Sequence, residues 1–314
     1  MKTFITHFLA AIAASLAFST TAISADREGS ILITGATTGI GRNLAETLAS
    51  EGHHVYAGAR TDAEMAELDA IENITAVRLD VTKQDQIDDA VAFIEGRGTG
   101  LYGLVNNAGI YDGGPVLETE TDVMNLVYEV NVEGVLRVTK AFGPMIVESK
   151  GRIATTGSIA GTISGPGFAA YSGSKHYIEA FTDSLAAEME PLGVSVSVIE
   201  PGNYQTQIRR SSMKRAMARV VADGGVVTSA MEKQYKGLEE LELSYKLPDE
   251  VTEAFKDALL SEAPLRRYVV VPNEDEHNRT IETKIRELVE LNGWGPYSDS
   301  DEELMARLKA ALNR

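Results

Sequence analysis

The chain has 314 residues, no cysteine and a formal net charge of −17. This length suffices for one large α/β domain with a sizeable core, so disulfide or metal crosslinks are not needed for stability. The absence of cysteine excludes a disulfide framework, a thiolate zinc site and a cysteine nucleophile. Because an acidic surface repels phosphate backbones, the charge argues against nucleic-acid binding.

The N-terminus has the order of regions that is typical of a secretory signal peptide. Lys2 precedes the apolar run FLAAIAASLAF, and small residues follow up to Ala25. The apolar run is too short to span a bilayer comfortably, so we expect no stable membrane span. We expect residues 1–25 to be a leader that directs export to the periplasm or the medium, with a cytoplasmic location as the alternative.

From Asp26 onward, short β-branched runs alternate with segments of helical periodicity. The predicted strands are Ser30–Gly35, His54–Ala59, Ala76–Val81, Leu101–Asn106, Gly151–Gly157, Val194–Glu200 and Arg267–Val271. The predicted helices are Gly39–Glu51, Gln84–Ile94, Asn125–Val147 and Tyr171–Met189. This alternation predicts an α/β fold: a doubly wound parallel sheet of the Rossmann type, in a single domain over residues 26–314.

Two segments depart from this alternation. Residues 203–262 are charged, largely helical and long for one connection, which predicts a helical insertion that shapes the substrate site. The tail, residues 274–314, contains a predicted helix at Thr280–Leu291, a Gly-Pro break and a short terminal helix. We expect both tail helices to be packing or solvated elements without a catalytic part.

The loop after the first predicted strand, TGATTGIG, places glycines where a strand turns into a helix. Gly35, Gly39 and Gly41 let the backbone approach a pyrophosphate, which then lies at the helix N-terminus. The spacing G-x3-G-x-G differs from the G-x-G-x-x-G of most dinucleotide-binding folds. By itself the loop is therefore a weak signal.

A tyrosine and a lysine further along the chain have the spacing of an acid/base pair. Tyr171 and Lys175 are four residues apart and share one face of a predicted helix. A nearby ammonium favours the phenolate and lowers the pKa of the phenol, so Tyr171 can exchange a proton with a carbonyl or an alcohol. Ser158 ends the fifth predicted strand, at the sheet edge where ligands bind, and can hydrogen-bond a substrate oxygen.

Five motifs occur in order over about residues 29–206, and together they resemble the short-chain dehydrogenase/reductase family. They are TGATTGIG, the NNAG at 106–109, VNVEG, Ser158 with the YSGSK at 171–175, and a Pro-Gly with a threonine after the sixth predicted strand. The resemblance implies that Asn131, Ser158, Tyr171 and Lys175 are the catalytic residues. It further implies that Lys175 holds the nicotinamide ribose and that Asn131 supports Lys175 through water.

The resemblance also implies a site for a nicotinamide dinucleotide. The positions that match the family's cofactor contacts are Gly35, Thr37, Thr38, Gly39, Ile40, Gly41, Asp80, Val81, Asn107, Gly109, Tyr171, Lys175, Pro201, Gly202 and Thr206. At the end of the second strand, Ala59 stands where an acidic residue would bind the ribose 2′-hydroxyl, and the adjacent Arg60 suits a 2′-phosphate. The sequence therefore predicts NADP(H), with NAD(H) less favoured.

These features predict an oxidoreductase that interconverts a small-molecule alcohol and ketone by hydride transfer. The RYVVVPN at 267–273 resembles bacterial members near the steroid and retinol dehydrogenase branch, although substrate does not transfer reliably within the family. One alternative is a non-catalytic dinucleotide-binding sensor or scaffold on the same fold, and the four intact catalytic residues argue against it. The other alternative is an epimerase-like enzyme of the extended type. The glycine loop of such enzymes is one residue shorter, and TGATTGIG does not match it.

Two further expectations concern partners and metals. By resemblance, the helices at about 120–147 and 171–190 form the interface of a homodimer or homotetramer. The five histidines lack metal-ligand spacing, so we expect no metal site.

Overall fold

The computed structural model describes residues 29–313, and a seven-stranded parallel sheet lies at its centre. The strands are β1 (Ser30–Ile33), β2 (Val55–Ala59), β3 (Ile74–Arg78), β4 (Leu101–Asn106), β5 (Arg152–Thr156), β6 (Ser195–Pro201) and β7 (Arg267–Val270). Their order in the sheet is β3-β2-β1-β4-β5-β6-β7, and each neighbouring pair is parallel. The predicted fold class is therefore confirmed.

Eleven α-helices lie among the described residues. They are α1 (Gly39–Ser50), α2 (Asp62–Asp69), α3 (Gln84–Arg97), α4 (Thr121–Tyr128), α5 (Val135–Glu148), α6 (Ala169–Met189), α7 (Ile208–Ala222), α8 (Ser229–Ser244), α9 (Asp249–Leu260), α10 (Glu274–Asn292) and α11 (Asp301–Leu312). A π-helical segment, Glu129–Gly134, joins α4 to α5.

The sheet is covered on both faces by helices whose apolar sides form two separate cores. On one face, α1 and α9 bury Leu44, Leu48 and Phe255 against the strands. On the other face, helices α3, α5 and α6 pack over the sheet, with Phe142 fully buried among them. Since the strand order reverses direction between β1 and β4, the connections after these strands lead to helices on opposite faces and leave a crevice, where ligands bind in sheets of this kind.

Three elements differ from the sequence expectation. Helix α2 was not expected, because only Leu68 of its residues is buried, so no apolar stripe marks it. It begins instead with a capping box in which Thr61 accepts from the Glu64 N–H and the Glu64 carboxylate accepts from the Thr61 N–H. The third strand lies earlier than predicted, and the long helix expected at Asn125–Val147 is interrupted by the π-helical segment.

The predicted insertion at 203–262 divides into two parts with different roles. Helices α7 and α8 pack on each other near the carboxyl edge of the sheet. The third helix, α9, contributes Val251, Phe255 and Leu259 to the core beside α1, so it belongs to the fold itself. The segment that is free to shape a substrate site is therefore shorter than the expected insertion.

Residues 1–25, expected to be a leader, lie outside the described residues. Among residues 29–313, no helix is both long and apolar enough to cross a membrane. The same residues contain no cluster of three histidine or acidic side chains that could hold a metal ion.

Candidate active site

A cavity of about 590 Å³ opens at the carboxyl edge of the sheet, along the crevice between β1 and β4. Most of the residues expected to bind cofactor or substrate line it: Gly35, Thr37, Thr38, Gly39, Ile40, Arg60, Asp80, Val81, Asn107, Gly109, Ser158, Tyr171, Lys175, Pro201, Gly202 and Thr206. Two expected residues, Gly41 and Asn131, lie behind the wall and do not line it. Residues separated by more than 170 positions in the sequence are thus brought to one site.

The glycine loop has the close backbone approaches that the sequence predicts. Gly35 has a φ of +62°, and a Cβ there would lie 2.9 Å from the Ala108 Cα. A Cβ on Gly41 would lie 2.4 Å from Asn107 Nδ2, so this glycine serves the contact between loop and β4 and not the ligand. Thr38 precedes α1 without a side-chain cap, which leaves the helix N–H groups directed at the cavity. The loop therefore fits a pyrophosphate.

Hydrogen bonds fix this loop to the end of β4. The Thr34 hydroxyl accepts from the backbone N–H groups of Asn107 and Ala108, both at 3.0 Å. Asn107 Nδ2 donates to the carbonyls of Thr34 and Gly35, also at 3.0 Å. The Asn107 side chain therefore fixes the glycine loop to the end of β4, while the residue also lines the cavity.

The far end of the cavity lies beside the ends of β2 and β3. Ala59 and Arg60 line it, and the Arg60 side chain is exposed and forms no ion pair with any described residue. Asp80 Oδ1 accepts from the Thr82 hydroxyl at 2.8 Å and from the Thr82 N–H at 3.0 Å, so this carboxylate also closes the turn after β3. A cation without an acidic partner is thus available at the end of β2.

Tyr171 and Ser158 meet at the other end of the cavity. Withdrawal from solvent raises the pKa of the Tyr171 phenol, and a hydrogen bond with Ser158 and the charge of Arg209 oppose that rise. The sequence predicted a pKa lowered by Lys175, so the predicted direction is wrong for the protein alone. Desolvation dominates, because the ring is packed under Tyr111, with centroids 5.4 Å apart in an edge-on arrangement.

Lys175 is buried one helical turn after Tyr171. Its Nζ donates to the Thr156 carbonyl at 2.7 Å and lies 5.8 Å from the centre of the Tyr171 ring. Burial lowers the pKa of Lys175 to about 8, against the effect of Glu179, which lies one turn further along α6. The shared helical face is confirmed, but the ammonium is directed to the end of β5 and not to the phenol oxygen.

Asn131 connects three elements behind the cavity. Its Oδ1 accepts from the Ile110 N–H at 2.8 Å, and its Nδ2 donates to the Ile110 carbonyl at 2.9 Å and to Ser174 Oγ at 3.0 Å. The side chain is 1 % exposed. Asn131 thus holds the loop after β4 against α6, and its predicted support of Lys175 through water stays a prediction.

Several residues that line the substrate end of the cavity were not found by sequence reasoning. They are aromatic or charged side chains outside every motif: Tyr111, Phe168, Tyr204, Arg209, Arg215, Tyr245 and Arg279. Tyr111 also contacts Phe168, with ring centroids 5.3 Å apart. Because these residues come from five separate segments, no sequence spacing could have grouped them.

An ionic cluster holds α7 over the cavity. Asp112, 2 % exposed, accepts from Arg215 Nε at 3.2 Å, from Arg219 Nη1 at 3.1 Å and from the Ser212 hydroxyl at 3.1 Å. Arg215 Nη2 also donates to the Tyr111 carbonyl at 2.5 Å. Both guanidinium groups lower the pKa of Asp112, although its burial acts in the opposite direction.

The tail contacts the cavity as well. Glu276 of α10 accepts from the Asn203 N–H at 2.9 Å, and Arg279 and Thr283 from the same helix line the cavity. The tail packs, as expected, but it packs at the mouth of the site. Helix α11 has no buried residue.

Comparison with known proteins places this geometry in a family. The family model for short chain dehydrogenases matches residues 30–216, more than half of the chain. The chain is 42% identical over 197 residues to the mitochondrial D-beta-hydroxybutyrate dehydrogenase of Bos taurus, a match that covers 59% of this chain and 57% of that protein. It is 36% identical over 200 residues to retinol dehydrogenase 5 of Mus musculus, covering 60% of this chain and 63% of that protein.

A solved structure agrees with these relatives. A short chain dehydrogenase/reductase from Burkholderia phymatum in complex with NAD has a TM-score of 0.69 and 25% sequence identity, covering 87% of this chain and 98% of the other. The chain spans less than two thirds of the length of the bovine and murine relatives. The motifs, the sheet order and the matched model lead to one conclusion: this chain belongs to the short-chain dehydrogenase family.

Proposed function

We propose that this protein is an NADP(H)-dependent oxidoreductase that interconverts a carbonyl and an alcohol, with Tyr171 as the general acid/base. The observation that carries the proposal is the convergence of Tyr171, Ser158 and Lys175 in the cavity that also contains the glycine loop. The bovine and murine relatives are named as dehydrogenases, and the Burkholderia structure contains NAD, which supports a nicotinamide dinucleotide here.

The chain's own residues account for the proton side of the reaction. The nicotinamide, when bound, supplies or accepts the hydride. Tyr171 donates its phenolic proton to the substrate oxygen in reduction and takes it back in oxidation. Ser158 orients the substrate oxygen by a hydrogen bond, and Lys175, fixed by Thr156, holds its ammonium beside the site.

Replacement of the proton donor tests the mechanism. Tyr171→Phe keeps the ring but removes the hydroxyl, so we expect kcat to fall about 10²- to 10⁴-fold, the usual contribution of a general acid. The dissociation constant of NADPH, measured by fluorescence titration, should change little. Tyr177→Phe is the matched control, since Tyr177 lies on the same helix and stacks on Phe181 outside the cavity. A Tyr171→Phe enzyme with normal kcat would refute the assignment.

The preference for NADP(H) follows from the end of β2. No acidic side chain stands at position 59 to repel a 2′-phosphate, and the unpaired Arg60 offers a planar donor. Arg215 lines the same cavity, and the positive charge of Arg60 adds to the burial that lowers the pKa of Arg215, so a second cation lies within electrostatic reach of Arg60. These contacts support NADP(H) over NAD(H).

A double substitution tests the cofactor preference. Ala59→Asp with Arg60→Ala adds repulsion and removes the donor, so we expect the ratio of NADPH to NADH dissociation constants to invert. Arg97→Ala, which removes an exposed arginine outside the cavity, is the control. Equal binding of NADPH and NADH by the wild-type protein, unchanged in Arg60→Ala, would contradict the proposal.

A further inference from the structure

The cavity carries the opposite charge to the rest of the chain. Five cationic side chains line it, Arg60, Lys175, Arg209, Arg215 and Arg279, against two acidic ones, Asp80 and Glu242. The formal net charge of the whole chain is −17. A cationic cavity in an acidic protein attracts anionic ligands and excludes cations. The phosphates of a bound dinucleotide would account for Arg60 at one end, whereas Arg209 lies near Tyr171 at the other end.

Arg209 differs from the other arginines of α7. Arg210 pairs with Glu239 at 2.6 Å and with Glu242 at 3.3 Å, and both Arg215 and Arg219 pair with Asp112. Arg209 has no carboxylate within 4.0 Å among residues 29–313, and its guanidinium makes one hydrogen bond there, from Nη2 to Asn203 Oδ1 at 2.8 Å. Since a guanidinium has five N–H donors, most of its donor capacity is unused.

The position of Arg209 is fixed at the substrate end. Its backbone N–H donates to Glu242 Oε1 at 2.8 Å, which anchors the start of α7 to α8. Burial raises the pKa values of both Tyr171 and Tyr111, and the charge of Arg209 opposes that rise in each, so the guanidinium lies near the two phenols. The buried Glu242 carboxylate does not pair with this guanidinium: it accepts from the backbone N–H groups of Arg209 and Arg210 and pairs with Arg210 Nε.

We propose that Arg209 binds a carboxylate of the substrate, so that the preferred substrates are oxo acids and the corresponding hydroxy acids. This inference rests on the proposed reaction at Tyr171. A planar guanidinium matches a carboxylate with two parallel hydrogen bonds and so fixes orientation as well as affinity. Tyr111 and Phe168 contact each other and line the same cavity, and their rings offer apolar surface to a short chain joining the carboxylate to the reacting carbon.

Matched acids and esters test the proposal. The probes are short straight-chain 3-oxo and 4-oxo acids and their methyl esters, which differ in charge but little in shape. For the wild-type enzyme we expect kcat/KM to be higher for the acid of each pair. In Arg209→Gln we expect KM for the acid to rise about 10- to 100-fold, because a charge-assisted hydrogen bond is lost, with little change for the ester.

Two further variants separate this role from a structural one. Lys214→Gln removes one positive charge from an exposed site on the same helix, where Lys214 lies over the Tyr235 ring, and should leave the acid-to-ester ratio unchanged. Arg209→Lys keeps the charge without the planar fork and should restore part of the preference. An Arg209→Gln enzyme that loses acid and ester turnover equally would overturn the proposal, as would a weakened NADPH affinity as its main effect.

Binding without turnover separates this inference from the proposed function. An oxo acid added to the protein with NADP⁺ cannot react, so calorimetry reports its binding alone. If an oxo acid bound to the wild type but not to Arg209→Gln, and the protein showed no turnover, the anion site would be supported and the proposed reaction refuted. If acids and esters were turned over with equal kcat/KM, the proposed reaction would be supported and the role of Arg209 refuted.

Discussion

At the scale of single residues, the surroundings of Tyr171 and Lys175 depend on contacts between α6 and the end of β5. The i, i+4 spacing correctly placed Tyr171 and Lys175 on one face of α6. It could not show that Lys175 Nζ is drawn to the Thr156 carbonyl, because that contact depends on where β5 ends relative to α6. The direction of the pKa shift of Tyr171 was therefore mispredicted, since burial is a property of the assembled cavity.

A buried carboxyl group beneath the site leads to a prediction on pH and stability. Glu200, 2 % exposed, accepts from the Thr162 hydroxyl at 3.2 Å, and Glu179, Arg267 and Lys284 are the charged groups that act on it. Burial, with the repulsion of Glu179, raises the pKa of Glu200 from 4.5 to about 7. The folded state thus binds a proton more strongly than the unfolded state does.

The sign of the effect follows by linkage. The stabilising contribution of protonated Glu200 is fully present below pH 4.5 and is lost as the pH rises through about 7. Glu200→Gln should therefore increase the free energy of unfolding by up to about 3 kcal/mol at pH 8, and by little at pH 4. Urea titrations at both pH values measure this, with exposed Glu240→Gln as control. A variant that is less stable than wild type at pH 8 would show that the charged carboxylate is stabilising.

At the scale of elements, the sequence pattern predicted most of the helices and strands that build the core. It did not predict elements that are held by a helix cap or by contacts remote in sequence. The seven strands were predicted from short β-branched runs, and helices such as α1 and α6 from regular apolar spacing. Helix α2 is held by its capping box, and α9 was assigned to the insertion because its core contacts with α1 are remote in sequence. The residues at the substrate end, such as Tyr111 and Arg209, carry no local pattern at all.

The ionic cluster on Asp112 leads to a prediction about α7. Asp112→Ala leaves Arg215 and Arg219 without their carboxylate, so we expect local opening of Ile208–Ala222 to become easier by about 1–3 kcal/mol, given that both arginines are partly exposed. Hydrogen exchange should report protection in α7 lowered by about 10- to 100-fold, with α1 unaffected.

An ion pair outside the Asp112 cluster provides the control for the hydrogen-exchange experiment. Asp183→Ala breaks an exposed ion pair with Arg267 at 2.8 Å, between α6 and β7, and it should leave exchange in α7 unchanged. If α7 in Asp112→Ala kept the hydrogen-exchange protection of the wild type, the ion pairs of Asp112 would not be what holds α7 over the cavity.

At the scale of the whole molecule, the two tail helices contribute unequally. Because α11 buries no residue, removing residues 293–314 should change the melting temperature by less than about 3 °C and leave kcat/KM intact. A second truncation before Glu274 removes α10 and the Glu276–Asn203 hydrogen bond, and should raise KM through loss of the wall at the cavity mouth. Differential scanning fluorimetry and steady-state kinetics on both truncations measure the difference. A large loss of stability on removing α11 alone would contradict it.

The oligomeric state is a further property of the whole molecule. We propose, from the family resemblance, a homodimer or homotetramer formed through α4, α5 and α6. Exposed Met124 and Leu136 on two of these helices, at 44% and 41% exposure, provide apolar surface for such an interface. Analytical ultracentrifugation of the wild type and of Leu136→Glu measures this state, and an unchanged oligomer in the variant would place the interface elsewhere.

The π-helical segment Glu129–Gly134 also has a consequence for insertions and deletions in the chain. A π turn accommodates one residue more than an α turn, so α4 and α5 are out of phase by one position compared with an unbroken helix. Deleting a single residue there would let the segment relax into ordinary α-helix and rotate everything beyond it by about 100°. Asn131 would then no longer reach Ile110 and Ser174 together. Related sequences that keep this asparagine should therefore keep the number of residues between α4 and α5, even where their side chains differ.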